Sequence, residues 1–115
     1  MINSNEMNYF YETPYLSEIT EKSHSETVMI FKHSSTCTGS VKLYKKLEEL
    51  MEKGDWKTPV YLVTVQVYPT LSKNISEIFD IKHESPQIIV LKSGKVLYEA
   101  HHNQIDIENL INSRM

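Results

Sequence analysis

FKHSSTCTGSVKLYKKLEEL, Phe31 to Leu50, is the stretch on which the fold turns. It begins in the apolar run TVMIFKH, Thr27 to His33, whose β-forming residues read as a buried strand. It ends in a helix. From about Cys37 to Lys53, the apolar residues Leu43, Tyr44, Leu47, Leu50 and Met51 are spaced by threes and fours and share one face. Lys42, Lys45, Lys46, Glu49 and Glu52 occupy the others, and Gly54 follows where a left-handed residue usually closes a helix. The joint between strand and helix, HSSTCTGS, carries the only cysteine of the chain, Cys37.

Working outward, Thr13-Pro14 reads as the cap and first residue of a short helix reaching about Lys22. VYLVTVQV, Val60 to Val67, reads as a second buried strand. Leu71, Ile75, Ile78 and Phe79 mark a short helix capped by Thr70 or Ser72. SPQIIVLKSGKVLYEAHH is a hairpin with strands Gln87–Leu91 and Lys95–Ala100 turning at Ser93-Gly94. A last helix is expected from about Asp106 to Ser113. The order α, β, α, β, α, β, β, α predicts an α/β chain with a central four-stranded mixed sheet and helices on both faces. This is a thioredoxin-like layout. Residues 1–12, rich in Asn and Ser, are expected to form a flexible lead, and residues 13–115 a single domain.

In that layout Cys37 stands at the N-terminus of a helix, just after a central strand. The first helical turn exposes unpaired N–H groups and about half a unit of positive charge, both of which favour a thiolate. The thiolate is the attacking form of cysteine. A core cysteine would sit among Val, Ile and Leu; this one has only small or polar neighbours until Val41. Thr36, Thr38, Gly39 and Ser40 are therefore expected to support the thiolate and the helix start. A dithiol oxidoreductase would have its second cysteine where Ser40 stands. Ser40 cannot attack a mixed disulfide on Cys37, so an outside thiol must release it. Ser40 can still hydrogen-bond the thiolate or cap the helix.

The second feature is Ser85-Pro86. From the residues alone a trans turn proline is the expectation, since only about 5–6% of X–Pro bonds are cis. A cis bond there, opposite the cysteine loop, would leave the Ser85 backbone free to pair with an extended substrate and make Ser85, Pro86 and Gln87 the substrate-binding loop. His101 and His102, if both lie on a strand, face opposite sides and do not chelate together. His83 is a loop histidine that could approach Cys37.

Composition narrows the partners. A formal net charge of −3, with no basic run interleaved with aromatics, argues against nucleic acid. The apolar runs are shorter than the roughly 20 residues a membrane span needs. There is no nucleotide-binding glycine motif, and no HExxH or paired-cysteine metal motif. The start has no secretory pattern, and one cysteine forms no internal disulfide; a reducing cytoplasm is the expected location.

From about Leu16 to Leu110 the chain resembles the YtxJ-type monothiol bacilliredoxins, thioredoxin-like proteins of bacilli and staphylococci. The likeness rests on FKHSSTC with Ser40, on VYLVTVQ, and most specifically on SKNISEIFDIKHESPQ. The resemblance implies a cis Pro86. It also implies a thiol–disulfide oxidoreductase that takes bacillithiol, a low-molecular-weight thiol, from mixed disulfides with proteins. Cys37 would be the nucleophile and bacillithiol a co-substrate, with no tightly bound cofactor. Bacillithiolated proteins would be the substrates, and free bacillithiol or a partner reductase would restore Cys37. One departure stands out: the family has Thr-Cys-Pro-Ile-Ser where this chain has Thr36-Cys37-Thr38-Gly39-Ser40. Thr38 and Gly39 leave the first turn looser than proline would.

Two other functions fit a lone cysteine on this fold. One is an iron–sulfur carrier, in which each of two subunits gives one thiolate and small thiols complete the four. The other is a non-enzymatic binding module built on the Pro86 loop.

Overall fold

The computed structural model describes residues 9–112. The elements run in the order α1 (Leu16–Ser25), β1 (Val28–His33), α2 (Thr38–Lys53), β2 (Val60–Thr64), α3 (Pro69–Phe79), β3 (Gln87–Lys92), β4 (Lys95–His101) and α4 (Ile107–Asn112), with a 3-10 turn, His102–Gln104, before the last helix. The strands form one sheet in the order β2-β1-β3-β4. β1 pairs parallel with β2, and the other two pairings are antiparallel.

β1 is the spine of the sheet and is buried along its whole length. Its side chains alternate between two cores, as the two-residue period of a strand requires. Met29 and Phe31 join Leu47 and Leu50 of α2 and Ile107 and Leu110 of α4 on one face. Val28 and Ile30 join Ile19 of α1 and Leu71 and Ile75 of α3 on the other. Burial on both faces explains why β1 and β3 read as continuous apolar runs rather than alternating ones.

Several boundaries differ from the expectation. α1 begins at Leu16, not at Pro14, because Thr13 does not cap it. Its hydroxyl is instead bonded to the Glu18 carboxylate and accepts the Tyr15 N–H at 3.1 Å. β2 ends at Thr64, and the chain turns through Val65–Val67. α3 starts at Pro69, with the missing proline N–H falling in the first turn where none is needed. Gly54 closes α2 at φ 78°, and the Asp55 N–H reaches back to the Leu50 carbonyl at 2.8 Å.

Residues 1–8 of the expected lead lie outside the described residues, as does the end of the last helix beyond Asn112. Within the expected lead, residues 10 and 11 are packed against the domain. Phe10 is buried with its ring 4.8 Å from Tyr44, and Tyr11 bonds by its backbone to Val60 and Leu62. The hairpin turn has positive φ at both Ser93 and Gly94 (53° and 75°), the geometry that matches strand twist. It docks on α1: the Gly94 N–H donates to Ser23 Oγ at 2.8 Å.

Candidate functional site

The β1–α2 joint is built from backbone first. The Cys37 N–H donates to the Ser34 carbonyl at 3.2 Å, and the Val41 N–H donates to the Cys37 carbonyl at 3.0 Å. Cys37 therefore takes the N-cap position of α2, in extended conformation, and its side chain makes no capping bond. The first turn carries no acidic residue. The thiol is half-buried. It stands between two clefts. One, of about 410 Å³, is lined by Cys37, Gly39, Leu43, Pro86, His102 and Ile105, among others, and is mostly apolar. The other, of about 340 Å³, is lined by Cys37 with Ser35, Thr36, Thr38, Val41, Lys42 and Lys45.

The Ser85–Pro86 bond is cis, and Pro86 faces Cys37 across the larger cleft. Ser85 and Gln87 do not line it. The Ser85 hydroxyl is buried without a hydrogen-bond partner. The expectation that Gln87 touches substrate is corrected: its side chain is fully buried. Its amide donates to the Lys82 carbonyl at 3.1 Å and to Glu99 Oε2 at 2.9 Å, and its oxygen accepts the Glu84 N–H at 3.4 Å. Gln87 thus clamps the loop from beneath. Glu99 answers to the same contacts. Burial alone would raise its carboxyl, but the bonds from Gln87 and His101 prevail and hold it below its ordinary value.

Of the two roles open to Ser40, the structure places it with the helix start. It is fully buried and turned inward, not toward the thiol. Its oxygen accepts the Ser34 N–H at 2.9 Å and lies 2.7 Å from His33 Nδ1. It locks the end of β1 to the first turn of α2. His33 packs against Phe31 and Tyr44, and burial lowers its proton affinity despite the Ser40 contact. His83 is drawn elsewhere too: its Nδ1 lies 3.2 Å from Lys32 Nζ on the opposite face of the sheet.

Two residues near Cys37 were not expected there: Gln66 carried no signal, and His102 read as an exposed histidine at a strand end. Gln66, in the turn after β2, accepts the Ser35 N–H at 3.3 Å and donates to Ser34 Oγ at 2.9 Å, bracing the cysteine loop. His102 leaves the strand at φ 51° and lines the cleft. Among the described residues, no group of three or more His, Cys, Asp and Glu side chains could hold a metal ion. None of their helices is long and apolar enough to cross a membrane.

A profile of the family described as monothiol bacilliredoxin BrxC matches residues 11–110. The chain belongs to that family. Its fold is that of thioredoxin. One solved structure described as having a thioredoxin fold superposes with a TM-score of 0.77 at 23% identity, covering 93% of this chain and 95% of the other. The Malassezia sympodialis thioredoxin superposes at 0.70 with 14% identity, covering 97% and 98%. The oxidised thioredoxin of Plasmodium falciparum gives 0.66 with 18% identity, covering 90% and 95%. Family and fold together support a thiol–disulfide oxidoreductase, and the single cysteine makes it monothiol.

Proposed function

We propose that this protein removes bacillithiol from modified proteins by thiol–disulfide exchange at Cys37. The Cys37 thiolate attacks the bacillithiol sulfur of the mixed disulfide. A new S–S bond forms as the old one breaks, and the protein sulfur leaves with the electron pair and takes up a proton. Cys37 now carries bacillithiol. The thiolate of a second bacillithiol, or a partner reductase, attacks the carried sulfur and frees Cys37; with bacillithiol itself the product is its symmetric disulfide. No electrons are lost or gained in the first exchange.

The observation that carries this reading is the position of Cys37: the uncapped N-cap of a 16-residue helix, opening on two clefts at once. Unpaired N–H groups of the first turn favour the thiolate. The apolar cleft beside Pro86 suits an extended protein segment, and the hydroxyl- and lysine-lined cleft suits a small polar thiol. Ser40, buried under the helix, offers nothing to resolve the carried disulfide.

The test is single-turnover mass spectrometry. Wild type mixed with a bacillithiolated protein gains the mass of one bacillithiol on Cys37 as the substrate loses it. If Cys37→Ala releases bacillithiol as fast as wild type, the reading is lost.

A further inference from the structure

We propose that His102 is the acid that meets the departing protein sulfur. The inference rests on the reading that Cys37 attacks the bacillithiol sulfur, and it concerns the other half of the same step. As the S–S bond breaks, negative charge gathers on the leaving sulfur. A donor within reach of that sulfur stabilises the charge and delivers the proton the product thiol needs.

His102 is placed for this. It lines the same cleft as Cys37 and Pro86. Its backbone N–H donates to the Pro86 carbonyl at 3.0 Å, so the residue is fixed to the loop that faces Cys37. Its Nε2 lies 3.3 Å from Glu84 Oε1, on the segment leading into Pro86. With Nε2 beside Glu84, Nδ1 is the second ring nitrogen available to the departing sulfur.

The surrounding charges are few. Glu84 is also approached by Lys82 at 3.8 Å. The His101 ring packs edge-on against His102 with centroids 5.3 Å apart, and His101 is itself bound to Glu99 at 2.9 Å. Glu84 is the carboxylate nearest the His102 ring, and Cys37 is the titratable group across the cleft. The left-handed backbone at φ 51° is what takes His102 off the strand and onto the cleft wall. Asn tolerates that conformation better than most residues, so His102→Asn keeps the backbone while removing the acid.

The experiment uses asymmetric disulfides of bacillithiol with thiols graded in acidity, from nitroaryl to alkyl. Transfer of bacillithiol to Cys37 is followed by mass. A nitroaryl thiolate leaves readily, and a more basic alkyl thiolate leaves more slowly and gains more from a donor. His102→Asn is expected to match wild type on the nitroaryl substrate and to fall behind by about tenfold or more on the alkyl ones, near or below the usual range for general acids. Glu84→Gln, which keeps the ring but removes the carboxylate beside it, is expected to fall behind in the same direction by less. If His102→Asn slows every substrate by the same factor, or none, the proposal is wrong and His102 only holds the loop. The two ideas separate cleanly: loss of Cys37 adducts with all substrates in wild type would defeat the exchange reading, whereas an unchanged acidity dependence in His102→Asn would defeat only this one.

Discussion

Ser40 Oγ lies 2.7 Å from His33 Nδ1 and accepts the Ser34 N–H at 2.9 Å, all within the buried seam between β1 and α2. The position where a dithiol enzyme would keep its resolving sulfur is here a structural pin. Its chemistry is anchoring.

Ser40→Ala is therefore expected to separate stability from reactivity. The substitution leaves a buried N–H and a buried imidazole nitrogen short of a partner, a loss of about 1–3 kcal/mol. Urea denaturation should show that loss, while the single-turnover rate of bacillithiol transfer stays within about threefold, since no bond to the thiol is removed. A collapse in rate with unchanged stability would mean that Ser40 does act on Cys37.

The loop clamp gives a second separation. Gln87→Ala strips partners from the Lys82 carbonyl, the Glu84 N–H and the Glu99 carboxylate. We expect weaker binding of protein substrates, seen as a raised KM, with alkylation of Cys37 by iodoacetamide unchanged. Without the Gln87 bond the Glu99 carboxyl should also titrate higher, which NMR can follow.

Lys32 carries a prediction in pH. Its ammonium is buried on the α3 face of β1 and donates to the Ser72 carbonyl at 2.9 Å and Ser76 Oγ at 2.7 Å, with His83 Nδ1 at 3.2 Å. Burial lowers its pKa from 10.5 to about 8. Between about pH 8 and 10.5 the unfolded chain holds this proton and the folded chain does not, so stability from this group rises with pH there. Lys32→Met removes the titration. The stability difference, wild type minus variant, should grow across that window and be flat below it. The same variant should raise the His83 pKa toward its ordinary value; burial lowers it first, but the Lys32 charge lowers it further. A difference that stays flat to pH 10.5 would contradict this account of Lys32.

Much of this architecture was legible in the sequence because periodicity carries it. The face of α2 drawn by Leu43, Leu47 and Leu50, and the doubly buried runs of β1 and β3, are local patterns that packing leaves intact. Cys37 was legible because its small and polar neighbours mark it, whereas the cis bond at Pro86 was legible only through the family likeness, an X–Pro bond being ordinarily trans. What escaped depended on distant partners. Ser40 and Gln87 looked like site residues because they flank one, but His33 and Glu99, brought in by the sheet, turned both inward. Thr13 looked like a cap until Glu18 took its hydroxyl. His102 looked like the end of a strand, and nothing in its neighbours announces a left-handed backbone. Phe10 and Tyr11 follow a polar lead, yet Tyr44 and the edge of β2 hold them.

The central claim is that one sulfur accepts bacillithiol and cannot clear itself. The most direct measurement is the stoichiometry of release from an excess of bacillithiolated protein with no added thiol. The account predicts a burst of one bacillithiol per chain, captured on Cys37, then a stop that free bacillithiol relieves. Steady release beyond one equivalent without added thiol, or a burst that survives Cys37→Ala, would contradict it.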